Sequence, residues 1–456
     1  MPGASFPHMQ NPLNRKVRAA ALAAPLMFAA PVIASAQAPA SGLSATEHAL
    51  VKSVDAHNAD ALALLIKLVN INSGTMNFAG VRQVADVLAA QLDSLGFKTR
   101  WVDGAAFHRA GHLVAEHEGP GPKLLLIGHL DTVFEPDNPF QKFERLDDST
   151  ARGPGVIDMK GGDVIIVYAL RALEEAGQLD KMNITIVFDG DEEESGTPLE
   201  LARGALVSAA KGATAALGFE DGSGDPGTAM TSRRGAGSWS LRSTGTPSHS
   251  GQIFSKEVGA GAVFEAARVL NHFYTQLGHE RYLTFNPGVA LGGTAVTLDS
   301  TGTVGHAEGK DNVVAEHMAV TGDLRTISPA QFTKAEKVMK EIVAHPLPGT
   351  HSEITFETGY PPMAPTAGNA RLLAVYDRAS RDLGTGPVVA VDPAKAGAAD
   401  ISFVANLVPM SIDALGLSGH DDHTDKETAD LRMLPVKTKR TAVFLLRLTD
   451  GAATAR

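Results

Sequence analysis

The chain has 456 residues, room for two or three domains with cores of their own, and its 44% hydrophobic and 20% charged content is that of an ordinary globular protein. A net charge of −11 with no basic block argues against a nucleic-acid partner and says little about a small-molecule substrate. Cysteine is absent, which excludes disulfides, thiolate metal sites and cysteine nucleophiles, so any metal must be held by His, Asp and Glu.

At the N-terminus, Arg15, Lys16 and Arg18 precede an apolar run over 19–33, and Ala34-Ser35-Ala36 supplies small residues for cleavage. The pattern predicts a signal peptide over 1–36, cut after Ala36, and a secreted or periplasmic mature chain. The run is too short, and too interrupted by Pro25 and Pro31, for a stable membrane span. Met9 offers a second start. Helical periodicity then predicts a helix over 47–69, with Leu62, Leu65, Ile66 and Val69 on one stripe, and another over 78–95 stopped by Gly96. Short strands are expected at 98–102, 112–116 and 123–127, the last an apolar run typical of a strand covered on both faces. A helix over 162–176 leads to a β-branched strand at 184–188, and a helix over 199–210 leads to a strand at 213–219. This alternation predicts an α/β fold built on a mostly parallel mixed sheet with helices on both faces.

The texture changes after Arg233. A strand at 238–242, a helix at 258–274, strands at 289–298 and 313–324, a helix at 329–344 and a strand at 353–357 follow in turn. That order is βαββαβ, a ferredoxin-like α+β plan able to fold as a unit. The α/β pattern then resumes with helices at 369–383 and 434–448. The expected organisation is one main domain in two parts, 44–233 and 361–450, with a second domain inserted at 234–360.

Five segments carry candidate chemistry. Gly128-His129-Leu130-Asp131-Thr132 follows the 123–127 strand, and two-residue spacing puts His129 and Asp131 on one side of an extended chain. An Asp so placed can accept the second ring proton of a metal-bound His and fix its tautomer. Gly153-Pro154-Gly155-Val156-Ile157-Asp158-Met159-Lys160-Gly161-Gly162 sets one carboxylate on a glycine-rich turn that opens a helix. Asp191-Glu192-Glu193-Glu194-Ser195-Gly196 follows the 184–188 strand, Glu220 follows the 213–219 strand, and His423 lies beyond the apolar run 412–417. Each alone reads as a solvated loop. Together they place His, Asp, Glu, Glu and His at strand ends of one sheet, where open α/β sheets put ligand sites. Carboxylates and imidazoles without sulfur suit zinc, with Co2+ or Mn2+ as stand-ins.

This run of motifs resembles the co-catalytic dizinc exopeptidase family of glutamate carboxypeptidases, aminoacylases and acetylornithine or succinyl-diaminopimelate hydrolases, along essentially the whole mature chain. The resemblance implies two Zn2+ per chain: His129 and Glu220 on one, Glu193 and His423 on the other, Asp158 bridging. It implies Asp131 as the residue orienting His129 and Glu192 as general base. Three carboxylates and a bridging hydroxide would balance two Zn2+. The common family form has one residue between the glutamate pair and the glycine, so a register one step on, with Glu193 as base and Glu194 as ligand, stays open beside the Glu192/Glu193 assignment. In the inserted domain Gly245-Thr246-Pro247-Ser248-His249-Ser250-Gly251 resembles the family's lid motif. Its His249 would reach the partner subunit's site in a homodimer formed through the lid and stabilise the oxyanion. Asn312 and Arg325 fit the substrate-binding pair, Arg325 gripping a carboxylate in a two-pronged contact.

Two departures bear on specificity. Gly359-Tyr360-Pro361 stands where glutamate-selective members have Gly-Arg-Pro, and no Lys lies near Thr228. Tyr360 is therefore expected to face an apolar or aromatic group of the substrate. The expected activity is carboxypeptidase-type hydrolysis of the amide bond to a terminal amino acid. Alternatives are an aminoacylase, an N-acyl amino acid amidohydrolase or a dipeptidase. A non-catalytic metal- or peptide-binding relative is the alternative of another class, against which Glu192 argues, since a binder needs no general base.

Overall fold

The apolar run Leu124-Leu125-Leu126-Ile127 forms the middle of the main sheet because its alternate side chains face two separate cores. In the computed structural model, which describes residues 42–451, Leu124 and Leu126 pack into one core, and Leu125 and Ile127 into the other. Met1–Ala36, the expected signal peptide, lies outside the described residues. Among those described, no helix is long and apolar enough to cross a membrane.

The strands are β1 (Lys98–Asp103), β2 (Gly111–His117), β3 (Lys123–His129), β4 (Asn183–Asp189) and β5 (Ala215–Gly218), and their sheet order is β1-β2-β4-β3-β5, closed by a short strand at Ser411–Ile412. β3 runs parallel to β4 and β5, β5 parallel to Ser411–Ile412, and β1 and β2 are antiparallel additions. Register aligns His129 with Asp189 and Ile127 with Gly218. The carboxyl ends of β4, β3 and β5 therefore stop at one edge, where the Asp191–Glu194 run, His129 and Glu220 follow.

Helices α1 (Ala45–Ala56), α2 (Asn58–Val69), α3 (Phe78–Ser94) and α4 (Lys160–Glu175) share the first core. α4 is apolar almost all round, with Val164 to Leu170 buried, and serves as the central helix. The expected single helix over 47–69 is two: the chain breaks at His57, whose ring bonds Asp60 and Glu175. The helix expected over 199–210 likewise splits into Leu199–Ala202 and Gly204–Ala209, broken at Arg203. Arg203 is only 2% exposed, and its buried guanidinium has partners that a continuous helix did not call for.

The second sheet holds β6 (Ala236–Gly245), β7 (Thr284–Gly293), β8 (His317–Arg325) and β9 (Thr350–Tyr360), ordered β7-β8-β6-β9 with every pairing antiparallel. With α5 (Gly261–Leu277) and α6 (Pro329–Val343) this is the ferredoxin-like arrangement. Its own core includes Trp239, Leu241, Phe273, Val320, Leu324 and Met339. The strand expected over 289–298 is broken after Gly293, and Ala295–Leu298 pairs instead with Gly305–Glu308 as a hairpin. α7 (Ala367–Asp382) and α8 (Met433–Thr449) complete the main domain, α8 packing on α4 and α7.

Candidate dinuclear metal centre

Two groups of ligating atoms form at the strand ends, and they share one residue. His129, Asp158 and Glu220 make the first, and Asp158, Glu193 and His423 the second. His129 Nε2 lies 3.0 Å from Asp158 Oδ1 and 3.6 Å from Glu220 Oε1. His423 Nε2 lies 2.9 Å from Asp158 Oδ2 and 3.2 Å from Glu193 Oε2. The two oxygens of Asp158 thus face different imidazoles, which is how a bridging carboxylate is disposed.

Asp131 is fully buried and ties two of the motifs together. Its Oδ2 accepts from Thr75 Oγ1 at 2.7 Å and from the Glu193 amide at 3.2 Å, and its Oδ1 accepts from the Glu192 amide at 3.1 Å. Burial pushes this carboxyl up, but His129 and these donors outweigh burial and hold it below its ordinary range. His129 Nδ1 is 3.1 Å from the Asp131 main-chain oxygen and 3.5 Å from Oδ1, so both face the ring's second nitrogen and leave Nε2 for the shared site.

The consecutive acidic residues after β4 go separate ways. Asp191 turns inward, accepting from the Gly196 amide at 2.7 Å and from Arg203 Nη1 at 2.6 Å. Glu193 joins the shared group. Glu194 turns outward to Arg109 Nη2 at 2.9 Å. Glu193, and not Glu194, is thus a member of the candidate ligand group, and Glu192 precedes it in the chain. Burial, then Asp400, raises the Glu192 carboxyl well above its usual range, with Glu220 and Glu193 adding to the effect.

The donor set fits a pair of divalent cations. Burial and the charge of Asp158 push Glu193 and Glu220 up to about 7, while hydrogen bonds to Asp158 and Glu193 push His423 up to about 11. Crowded carboxylates of this kind are relieved by cations. Glu193 Oε1 is buried and has no hydrogen-bond partner among the described residues, an acceptor that a cation would satisfy.

Glu427 was not singled out from sequence. It is fully buried, and its Oε2 accepts from the Gly155 amide at 2.8 Å while Oε1 accepts from Ile157 at 2.9 Å and Asp158 at 3.2 Å. It clamps the turn that presents Asp158. A lone Glu in the polar run Asp425-Lys426-Glu427-Thr428 carries no signal of this; only its nearness to His423 hinted at it. Glycine spacing on the same turn is explained by close approach: a Cβ at Gly162 would lie 2.0 Å from the Phe219 carbonyl oxygen.

The remaining expected residues lie elsewhere. His249 and Asn312 sit side by side on the inserted domain, both exposed, with the Ser250 amide donating to the Asn312 main-chain oxygen at 2.9 Å. His249 Nδ1 accepts from the Gly251 amide at 3.1 Å. Arg325 ends β8, half-exposed, with Nε 3.0 Å from Asp323 Oδ2. None of these three belongs to either metal group within one chain. The Tyr360 hydroxyl donates to the Glu192 main-chain oxygen at 2.9 Å and accepts from Arg203 Nη2 at 3.0 Å. Arg233 is buried against Asp413 at 2.7 Å, and Arg234 donates to Thr284 and Ala394. In a third cluster, His112 with Asp189 and Asp191, the Arg203 guanidinium pairs with Asp191 Oδ1 at 2.6 Å.

Comparison with known proteins agrees with this geometry. The sequence profile of Peptidase family M20/M25/M40 matches residues 125–447. Carboxypeptidase G2 from Pseudomonas sp. (strain RS-16) is 27% identical over 394 residues, 85% of this chain and 89% of that protein. Among solved structures, aminopeptidase PepT from Bacillus cereus superposes with a TM-score of 0.66 at 17% identity, covering 86% of this chain and 98% of that one. A dinuclear metal binding peptidase of the M20 family from Bacillus subtilis gives 0.61 at 15%, covering 87% and 99%. The family match spans most of the chain: it belongs to peptidase family M20 and is a metallopeptidase-type hydrolase.

Proposed function

We propose that this M20 hydrolase is an exported, zinc-dependent exopeptidase of carboxypeptidase type, releasing the terminal amino acid of a peptide or N-acyl amino acid. The observation that carries the reading is the sharing of Asp158 between two ligand groups, with Glu192 beside them. The similarity to Carboxypeptidase G2 along nearly the whole chain supports the reaction type. Two Zn2+ would be held by His129, Asp158 and Glu220 and by Asp158, Glu193 and His423, with Co2+ or Mn2+ as substitutes. Bound there, the ions would supply polarisation of the scissile carbonyl and acidification of water.

The chain's own residues do the rest. Glu192 takes the proton of the attacking water and passes it to the departing amine nitrogen. Asp131 keeps His129 in one tautomer and holds the amides of Glu192 and Glu193 on its two oxygens. Asn312 and Arg325 bind the substrate, the guanidinium pairing with its carboxylate. His249 stabilises the oxyanion across a homodimer formed through the inserted domain. The leader over 1–36 takes the protein out of the cytoplasm.

The test is to strip metal with a chelator, restore Zn2+, Co2+ or Mn2+, and follow amino acid release from dipeptides and N-acyl amino acids with varied C-terminal side chains. Activity should disappear on stripping and return as two ions bind per chain. Hydrolysis that survives complete metal removal would overturn the reading. With no Arg at position 360, apolar or aromatic C-terminal residues should be favoured, and a strong preference for C-terminal Glu would contradict that part.

A further inference from the structure

The main chain of Glu192 is held on both sides, and only one side belongs to the metal centre. Its N–H donates to Asp131 Oδ1, while its carbonyl oxygen accepts the Tyr360 hydroxyl at 2.9 Å. Tyr360 is the last residue of β9, where the inserted domain hands the chain back to the main domain. Its ring packs on Phe403 with centroids 4.8 Å apart.

Behind Tyr360 stands Arg203, at the break between two helical turns. Its two terminal nitrogens donate hydrogen bonds, Nη1 to Asp191 Oδ1 at 2.6 Å and Nη2 to Ser195 Oγ at 2.8 Å, Tyr360 OH at 3.0 Å and the Asp191 carbonyl at 3.1 Å, while Nε lies 2.8 Å from Asp400 Oδ1 as an ion pair without hydrogen-bond geometry. One planar group thus fixes the residue before Glu192, a residue three positions after it, and the phenol that holds Glu192 itself. A guanidinium suits this because its donors diverge in a rigid plane, which an ammonium cannot reproduce. Arg203 and Tyr360 touch neither metal group.

We infer that Tyr360 and Arg203 are positioning residues that hold Glu192 in its working orientation, and that this hold depends on the end of the inserted domain being seated against the main domain. The inference rests on Glu192 being the general base. It assigns Tyr360 to the enzyme's own scaffold and not to the substrate. Burial, followed by the nearby Asp400 and Glu192 carboxylates, keeps the phenol protonated, as a donor to the Glu192 carbonyl must be.

Tyr360→Phe removes one oxygen and keeps the ring on Phe403, so the fold is retained. With a misplaced base, kcat should fall about ten- to a hundredfold, while KM, the order of preference among substrates and two bound metals per chain stay as in the wild type. Arg203→Lys keeps the charge and loses the plane, and should lower kcat comparably. The double variant should lose little more than either single one, since both act through the same lock. Wild-type kcat in Tyr360→Phe would overturn the inference; so would a changed KM and substrate order at unchanged kcat, or strictly additive losses in the double variant. Glu192→Gln measured alongside separates the two readings. If it is inactive while Tyr360→Phe is fully active, the positioning role fails and the base stands. If Glu192→Gln turns over normally, the base assignment itself fails.

Discussion

Replacing Glu427 by glutamine tests whether the turn bearing Asp158 is held by one carboxylate. Three amides converge on Glu427: Gly155 on Oε2, and Ile157 and Asp158 on Oε1. The substitution is nearly isosteric, but an amide has one acceptor oxygen, so one amide N–H of the turn must face an NH2 group. Loss of charge-assisted bonding costs roughly 1.5–3 kcal/mol, and the orphaned buried donor roughly 1–3 kcal/mol more, so the turn is destabilised by about 2.5–6 kcal/mol. Because Asp158 serves both ligand groups, the strain should weaken both ions together. If about 3 kcal/mol of it falls on metal binding, affinity drops about a hundredfold. Competition against a chelator of known affinity would measure this for Glu427→Gln and the wild type, with thermal unfolding of the metal-free proteins giving the share lost in folding. Unchanged affinity with unchanged stability would refute the clamp. Loss of one ion with the other held at full strength would refute the bridging geometry.

Three further outcomes follow from the same contacts. Gly162→Ala puts a methyl 2.0 Å from the Phe219 carbonyl, next to Glu220, and should destabilise the fold by about 1–3 kcal/mol; an unchanged denaturation midpoint would show that α4 does not abut β5 there. Glu47 is buried against Arg447 at 2.6 Å. Burial pushes its carboxyl up, yet the Arg447 and Ser44 bonds outweigh burial and leave it below its usual range. A lowered folded value means stabilisation present above the unfolded pKa and lost as pH falls through the folded one. Glu47→Gln should therefore cost roughly 2 kcal/mol at neutral pH and much less in acid; urea unfolding at pH 7 and pH 3 decides, and an equal deficit at both would contradict the pairing. For His249, mixing inactive His249→Ala and Glu192→Gln chains should restore activity in heterodimers. No recovery despite demonstrated subunit exchange would rule out action across the dimer.

Much of this site could be read before any coordinates because three of the candidate ligands, His129, Glu193 and Glu220, follow apolar strands, and parallel neighbours β4, β3 and β5 end at a common edge. Sequence patterns report that edge well: His129, Glu193 and Glu220 each lie within a few residues of a β-branched or aliphatic run. The ferredoxin-like order of β6 to β9 was legible for the same reason. What stayed hidden depends on side chains that reach across the fold. Glu427 and Asp158 are far apart in sequence, and a single Glu in a polar loop has no periodicity to betray it. Arg203 sits where an apolar helical pattern runs on unbroken, and only the buried partners Asp191 and Asp400 explain why the helix stops there. Tyr360 is expected to face substrate because it replaces an arginine; the bond of its hydroxyl to the Glu192 carbonyl carries no signal in the sequence. The acidic run after β4 left two registers open; in the fold Glu193 joins the candidate ligand group and Glu194 pairs with Arg109.

The most direct test of the account is Glu192→Gln, with bound metal and turnover measured on the same preparation. The substitution leaves both ligand groups untouched, so two ions per chain should remain, while hydrolysis should fall by about a hundredfold to ten-thousandfold for want of a proton acceptor. Wild-type turnover with both metals bound would contradict it.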